Sequence, residues 1–189
     1  MNVAAVILAA GFSRRLGQPK QLVTVGGANL LQLTVKVALG AGLSPVVVVV
    51  QDATVAEGVL ADNVRVVVNP NASEGMAASI RCGVQFLGAA QGLVVDGAVI
   101  LACDQVGLAV EHVRALVEDR TRIKASRYEG RTAVPAYFPH TRFTDLLALH
   151  GDQGARALIR NAEAVQDEGL ALDIDTPEDL QRARALYGE

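Results

Sequence analysis

Several residue types are scarce in this chain of 189 residues, and each scarcity excludes a class of protein. Tryptophan is absent and aromatic residues make up only 4% of the chain, which leaves little material for stacking on single-stranded bases. The two cysteines, Cys82 and Cys103, predict neither a disulfide framework nor a Cys-x-x-Cys metal site. A reducing, cytoplasmic location therefore suits the chain best.

Long hydrophobic runs are also missing. Val46–Val50 falls far short of the roughly 20 residues needed to span a bilayer, and the segment Met1–Val3 lacks the basic residues of a signal peptide. A net charge of −3 argues against a nucleic acid or an anionic membrane as partner. An apolar fraction of 51% at this length predicts one folded domain over residues 1–189.

Acidic residues are absent from residues 1–51, which carry Arg14, Arg15, Lys20 and Lys36. The rest of the chain holds 13 basic and 20 acidic residues, so the two parts have opposite charge. One interpretation is chance combined with the apolar bias of buried strands. The other is an anion site near the N-terminus.

Short aliphatic segments alternate with helical patterns. Four segments are typical of strands that are covered on both faces: Val3–Leu8, Val46–Val50, Val64–Val68 and Ala98–Ala102. The helices predicted between and after them are Asn29–Ala41, Asp52–Ala61, Gly75–Leu87 and Val110–Thr121. This alternation predicts an α/β fold with a doubly wound, mostly parallel sheet in a three-layer sandwich. A ligand should lie beyond the carboxyl ends of the strands.

The second half of the chain is less regular. The predicted elements are a strand at Val134–Phe138, helices at Thr141–Leu149 and Gln153–Arg160, and a short strand at Leu170–Ile174. The last helix is better marked, because Thr176 is a typical N-cap residue and Pro177 is typical of the first helical position.

The first predicted strand runs directly into the segment Leu8-Ala9-Ala10-Gly11-Phe12-Ser13-Arg14-Arg15-Leu16-Gly17-Gln18-Pro19-Lys20. Small residues after a strand let backbone N–H groups approach a phosphate, and the three basic side chains neutralise its charge. The glycine spacing fits neither the dinucleotide-binding fingerprint nor the P-loop. The segment therefore predicts a phosphate-binding loop of another kind.

A second block, Asn69-Pro70-x4-Gly75-Met76-x2-Ser79-Ile80, follows the third predicted strand. Gly75 allows a tight turn, and Ser79 is either a donor to the edge of a base or an ordinary serine on a helix surface. Met76 and Ile80 are interpreted as core residues.

Two acidic segments offer metal ligands. Asp104 follows the buried strand Ala98–Ala102, and Mg²⁺ prefers one or two carboxylates together with phosphate oxygens. Asp173 and Asp175 lie on the same side of an extended segment, although capping of the last helix explains Asp175 and Asp179 equally well. Cys103 is interpreted as a buried filler. The three histidines, His112, His140 and His150, are interpreted as surface or capping residues.

These blocks resemble the molybdenum cofactor cytidylyltransferase family, which belongs to the MobA-like NTP transferase superfamily. The first loop matches the pattern L-A-A-G-x-S-x-R-x-G-x-x-K, Gly151–Arg156 matches G-D-x-G-A-R, and Asp173–Leu180 matches D-I-D-T-P-E-D-L. The resemblance covers nearly the whole chain. It implies a fold like that of nucleotide-diphospho-sugar transferases, with residues from about 1 to 104 holding the nucleotide and from about 105 to 189 the acceptor.

Carried over by position, the resemblance implies a role for each matching residue. The implied catalytic residues are Arg15, Lys20 and Asp104. The implied nucleotide-binding residues are Leu8, Ala9, Ala10, Gly11, Arg14, Arg15, Lys20, Asn69, Gly75 and Ser79. Mg²⁺ would be the cofactor, held by Asp104 and more weakly by Asp175.

The implied reaction is attack by the phosphate of molybdopterin, or of the molybdenum cofactor, on the α-phosphorus of CTP. Pyrophosphate then leaves. CTP is inferred from Ala10 alone, because guanylyltransferases of this family resemble L-A-G-G. The alternatives are a guanylyltransferase that uses GTP, a sugar- or polyol-phosphate nucleotidyltransferase, and a non-catalytic cofactor carrier. The expected partner is a molybdenum hydroxylase or its maturation factor.

Two departures from the family pattern concern the acceptor. Val106 stands where the family commonly has proline, and Ala133 stands where it tends to have glycine, two residues before Pro135. Arg156 is left open between binding an acidic acceptor and closing a helix. The acceptor is therefore the substrate about which the sequence says least.

Overall fold

A computed structural model describes residues 2–59, 62–90 and 94–189. Its strands are β1 (Val3–Ala9), β2 (Thr24–Val25), β3 (Ala28–Asn29), β4 (Val46–Val50), β5 (Val64–Val68), β6 (Gly97–Ala102), β7 (Lys124–Tyr128), β8 (Arg131–Pro139) and β9 (Glu163–Gln166). Its α-helices are α1 (Leu30–Gly40), α2 (Met76–Ala89), α3 (Val110–Leu116), α4 (Phe143–Leu147), α5 (Arg156–Ile159) and α6 (Pro177–Tyr187).

Seven of these strands form one sheet in the order β5-β4-β1-β6-β8-β7-β9. Strand β8 runs antiparallel to both of its neighbours, and every other pairing in the sheet is parallel. The mostly parallel, doubly wound sheet predicted from the alternating pattern is confirmed. Strands β2 and β3 form a separate two-stranded ribbon.

Helices cover both faces of the sheet, and alternate residues of each central strand serve the two layers. Along β1, Ala5 and Ile7 pack in the core that contains residues of α1 and α3, whereas Val6 packs in the core that contains residues of α2 and α4. These strands are apolar throughout because each of their faces is covered. A third core joins the β2–β3 ribbon to α6.

Strands β1, β4, β5 and β6 lie where the sequence predicts them, to within one residue at each end. Strands β2 and β3 escape prediction, and the second half requires corrections. The predicted strand Leu170–Ile174 is wrong: a 3-10 helix occupies Glu168–Ala171, and Asp173 forms an isolated bridge with Gln105. Strands β7 and β9 escape prediction. Both strands are short and contain several polar residues. Strand β9 also forms the largely exposed edge of the sheet.

Several helices are shorter than their patterns predict. Helix α3 ends at Leu116, and α4 and α5 have five and four residues. Ala53–Val59 is a 3-10 helix, and the last two residues of the helix predicted there, 60 and 61, lie outside the described residues. The cap predicted at Thr176 is confirmed, since Thr176 forms a capping box with Asp179. Asn29 and Gln32 form a second capping box at the start of α1.

The prediction that His112 is a surface or capping residue is wrong. Its ring is buried on α3, with Nε2 at 2.7 Å from the hydroxyl of Ser126 and Nδ1 at 3.3 Å from the carboxylate of Asp167. Burial lowers the pKa of His112, and the nearby carboxylate opposes that shift. This polar group therefore helps to hold α3 against β7 and the segment that follows β9.

The topology brings the carboxyl ends of β1, β5 and β6 to one edge of the sheet. The loop of residues 10–19, the start of α2 and the turn at Asp104 all follow these ends. Within the described parts of the chain, no helix is long and apolar enough to span a membrane.

Candidate active site

The loop after β1 folds back on itself and returns Lys20 to the end of that strand. Ser13 has a φ of 49°, and its hydroxyl accepts a hydrogen bond from the backbone N–H of Lys20 at 2.9 Å. The side chain of Gln21 donates to the carbonyl oxygen of Ala9 at 2.9 Å. These two bonds hold the end of the basic loop against the carboxyl end of β1.

A chain of ion pairs lies at the centre of this edge. The ammonium nitrogen of Lys20 is 2.7 Å from Oδ2 of Asp104 and 2.6 Å from Oδ1 of Asp175. The other oxygen of Asp175 is 2.6 Å from the guanidinium of Arg15. Burial by itself lowers the pKa of Lys20, but the two carboxylates more than offset that effect, so its pKa lies above the ordinary value. Lys20 is therefore an ammonium ion at neutral pH.

The two carboxylates reach Lys20 from distant parts of the chain. Asp104 lies in the turn that follows β6, and Asp175 lies just before α6. Asp179, rather than Asp175, caps this helix, because it accepts hydrogen bonds from the N–H and the hydroxyl of Thr176. The capping explanation thus applies to Asp179, and the Asp175 carboxylate is directed to the basic residues.

The carboxylates fit a divalent cation. Their oxygens lie within 2.7 Å of one nitrogen, so two hard oxygen ligands converge on one point that already holds a positive charge. The described residues contain no cluster of three or more His, Cys, Asp or Glu that could hold a metal. The protein would supply Asp104 and Asp175, and phosphate and water oxygens would supply the remaining ligands.

A first cavity of about 430 Å³ opens beside the ion pairs. Most of the predicted nucleotide-binding residues line it: Leu8, Ala9, Ala10, Gly11, Arg14, Lys20, Gly75 and Ser79, together with Asp104. Arg14 lies over the ring of Phe12, 5.5 Å from its centroid, and has no ion-pair partner among the described residues. Its charge is thus available to an anion in the cavity.

Two of the predicted nucleotide-binding residues do not line this cavity. Arg15 is largely exposed and pairs with Asp175, and Asn69 is buried behind the wall. The amide of Asn69 donates to the hydroxyl oxygen of Ser79 at 3.1 Å. Ser79 is therefore a buried, oriented residue of the cavity wall, and the interpretation as an ordinary surface serine is wrong.

Gly75 directly precedes α2 and lies close to Asp152 in the second half of the chain. Its φ is 103°, and a Cβ at this position would lie 2.0 Å from Oδ1 of Asp152. The backbone N–H of Ala77 donates to the carbonyl of Gly151 at 3.1 Å. Glycine is required here both for the backbone conformation and for this close approach.

A second cavity, of about 390 Å³, adjoins the first. Lys20, Met76, Ala102, Asp104 and Asp152 line both cavities, so the central ion pair lies between them. The walls of the second cavity are otherwise drawn from the second half of the chain and include Gln105, Tyr128, Arg131, Ala133, Arg156, Asp173 and Asp175.

Charges in the second cavity are of both signs. Arg131 lies 3.7 Å from Asp173, and Arg156 has no ion-pair partner among the described residues. Burial raises the pKa of Asp173 to about 7, with a further contribution from the charge of Asp104. The cavity can therefore accommodate a ligand that carries both an anionic group and hydrogen-bond donors.

Sequence reasoning missed several wall residues. Met76, interpreted as core, is 42% exposed and lines both cavities, whereas Ile80 is indeed buried. Gln21 directly follows Lys20 in the sequence, and Gln105 directly follows Asp104. This position next to the two ion-pair partners is the sequence signal that identifies both glutamines as neighbours of the site. Cys103 is buried as expected, and burial raises the pKa of its thiol to about 12.

Known proteins resemble this chain over most of its length. The family described as the MobA-like NTP transferase domain matches residues 5–167. The purine catabolism protein PucB of Bacillus subtilis (strain 168) is 34% identical over 196 residues, covering 95% of this chain and 94% of the relative.

Solved structures give the same picture. The crystal structure of Rv0371c from Mycobacterium tuberculosis H37Rv has a TM-score of 0.82 and 29% identity, covering 100% of this chain and 99% of that one. A crystal structure of Rv0371c in complex with manganese has a TM-score of 0.76 and 27% identity, covering 97% of this chain and 98% of that one.

Proposed function

Because the chain belongs to the family of MobA-like NTP transferase domains, we propose that it transfers CMP from CTP to the phosphate of a pterin acceptor and releases pyrophosphate. The acceptor is molybdopterin or the molybdenum cofactor. The observation that carries the proposal is the position of the Lys20–Asp104 ion pair between two cavities that share it. A transfer reaction needs this arrangement, because two substrates must meet at one charged point.

We assign the first cavity to the nucleotide. Residues from about 1 to 104 supply most of its wall, and Arg14 and Lys20 bring positive charge to the side where a triphosphate would lie. Ser79 is held by Asn69 and presents a hydroxyl to the base. Ala10 is buried in the wall, and its methyl group narrows the space in a way that favours a pyrimidine.

We assign the second cavity to the acceptor, with residues from about 105 to 189 supplying most of its wall. Arg156 and Arg131 would bind the acidic group of the acceptor, because a guanidinium matches the geometry of a phosphate. A molybdenum hydroxylase or its maturation factor would receive the product.

The mechanism follows from charge and position. An oxygen of the acceptor phosphate forms a bond to the α-phosphorus of CTP, and the bond to the pyrophosphate leaving group breaks. The attacking oxygen is already anionic, so no general base is required. Lys20 would turn from the carboxylates towards the phosphates and offset the negative charge that develops during transfer.

The proposed cofactor is Mg²⁺, held by Asp104 and Asp175. When bound, such an ion neutralises phosphate charge and orients the reacting groups. The homologous Rv0371c structure in complex with manganese supports a divalent cation in this family. Arg15 would hold Asp175 in place through their contact of 2.6 Å.

The test is the substitution Asp104→Asn, with labelled CTP or GTP and a molybdopterin acceptor in the presence and absence of Mg²⁺. We expect Mg²⁺-dependent pyrophosphate release by the wild type with CTP, and a loss of about 10³-fold in the variant. Asp145→Asn is the matched control, since Asp145 lies on α4 and lines neither cavity. A wild type that prefers GTP overturns the cytidylyl assignment. Release that survives Asp104→Asn overturns the assigned site.

A further inference from the structure

Gln105 is a buried polar side chain in the wall of the acceptor cavity. The residue is 4% exposed, and the antiparallel bridge to Asp173 fixes its backbone. Backbone pairing continues beside it, where the N–H of Ile174 donates to the carbonyl of Asp104 at 3.0 Å. The backbone of Gln105 is therefore fixed opposite that of Asp173.

The amide hydrogens of Gln105 are both used within the protein. Nε2 donates to the hydroxyl oxygen of Tyr128 at 3.0 Å and to the carbonyl oxygen of Val134 at 3.2 Å. Because a carbonyl oxygen only accepts hydrogen bonds, the contact with Val134 identifies Nε2 as the donor end of the amide. The amide orientation is thus determined, and Oε1 is the amide atom that takes part in neither of these hydrogen bonds.

Two acceptor oxygens in this part of the cavity lack a donor. Oε1 of Gln105 and Oδ1 of Asp173 are buried, and neither has a hydrogen-bond partner among the described residues. The two residues stand opposite each other across the bridge, and both line the acceptor cavity. A buried acceptor without a donor is destabilising, so a ligand that brings donors to this wall gains affinity.

We infer that Gln105 is a specificity-determining residue that, together with Asp173, recognises adjacent N–H donors on the ring of the acceptor. The inference rests on the proposed function and adds the class of group recognised. A 2-amino-4-oxo-pyrimidine ring, as in a pterin, has such N–H groups side by side. The arginines of the same cavity are left to bind the anionic group of the acceptor.

The test is fluorescence titration of the protein with pterin and with lumazine, which carries oxygen in place of the 2-amino group. We expect the wild type to bind pterin at least about tenfold more tightly than lumazine. The variant Gln105→Met has a side chain of similar length without polar atoms. It should lose this preference while its affinity for lumazine stays within about twofold of the wild type.

Gln21→Met is the matched control. Gln21 is equally buried, also has an unpartnered Oε1, and lines the nucleotide cavity. Its variant should keep the preference for pterin. Thermal unfolding of each variant shows whether the fold is retained.

The possible outcomes separate the inference from the proposed function. If Gln105→Met keeps the preference, or weakens both ligands equally, Gln105 is structural and the inference is wrong, while the proposed acceptor stands. If the wild type binds neither ring or shows no preference, the inference is wrong. Failure to bind either ring also contradicts the proposed pterin acceptor, whereas CTP binding would still support the nucleotide assignment.

Discussion

The two cavities meet at one ion pair, yet the parts of the chain that build them differ in construction. The nucleotide cavity lies at the ends of β1, β5 and β6, whose neighbours in the sheet are largely parallel and regular. The acceptor cavity is built from β7 and β8, a register shift between Ala125 and Ser126, and short helices. One region is specified by local motifs and the other by long-range contacts.

This difference fits the ligand that we propose for each region. A triphosphate is recognised by backbone groups and basic side chains in one continuous loop, so the required residues lie close together in the sequence. An acceptor is recognised by individual side chains that the fold brings together. Gln105 and Asp173, which lie opposite each other across an isolated bridge, are an example of such a pair.

The largest effect is expected from removal of the Lys20 side chain, which lines both cavities. We expect Lys20→Met to lower kcat for pyrophosphate release by about 10³-fold, because the ammonium group of Lys20 contacts both carboxylates where the two cavities meet. Lys36→Met is the control, since Lys36 is exposed on α1. A loss of less than tenfold would show that Lys20 is not central to the transfer.

The junction between the regions is tested by Gly75→Ala. The added Cβ would require a strained φ and would collide with Asp152, so the free energy of unfolding should fall by about 1–3 kcal/mol, measured by chemical denaturation. Gly88→Ala, in the helix that Gly75 precedes, is the matched control. No atom lies within 4 Å of its added Cβ, so this variant should be as stable as the wild type or up to about 1 kcal/mol more stable.

Ser126→Ala tests whether the acceptor region can be destabilised without an effect on the nucleotide region. The hydroxyl of Ser126 links His112 to the carbonyl of Pro135, and its removal leaves buried polar groups without partners. We expect a loss of about 1–3 kcal/mol in the free energy of unfolding and an unchanged Kd for CTP. A weakened CTP affinity in the folded variant would show that the two regions are coupled.

Ala10→Gly tests the nucleotide region alone. Removing the methyl group widens the cavity, and we expect the ratio of kcat/KM for CTP to that for GTP to fall by about tenfold. The KM for the acceptor should not change. An unaltered ratio would mean that another residue selects the base.

The smallest expected effect is a pH dependence from His112. Its pKa is lowered in the folded protein, so its contribution to stability is present above the unfolded pKa and is lost as the pH falls. The difference in free energy of unfolding between wild type and His112→Gln should therefore become smaller between pH 7.5 and pH 5.5. A constant difference over this range would show that His112 does not titrate.

Much of the nucleotide region can be predicted from the sequence, and the reason is local. The spacing from Leu8 to Lys20 predicts a phosphate-binding loop, several residues of which line the first cavity, and the apolar strands predict the mostly parallel sheet. The acceptor region is predicted less well, because β9 is a short, polar edge strand and the helix predicted at Gln153–Arg160 is reduced to the four residues of α5. The interpretation of Met76 as a core residue is wrong. An apolar residue in a helix is usually buried, whereas Met76 lines the site.

The central strands, the basic loop without acidic neighbours in the sequence, and the carboxylates that follow a strand or precede a helix are all predictable from local patterns. Only the tertiary structure decided that Arg15 meets Asp175 across 160 positions, that Asp179 rather than Asp175 caps the last helix, and that Gln105 lies opposite Asp173. The physical reason is that periodicity and spacing describe neighbours along the chain. Contacts between distant residues depend on strand order and register, which many local patterns share.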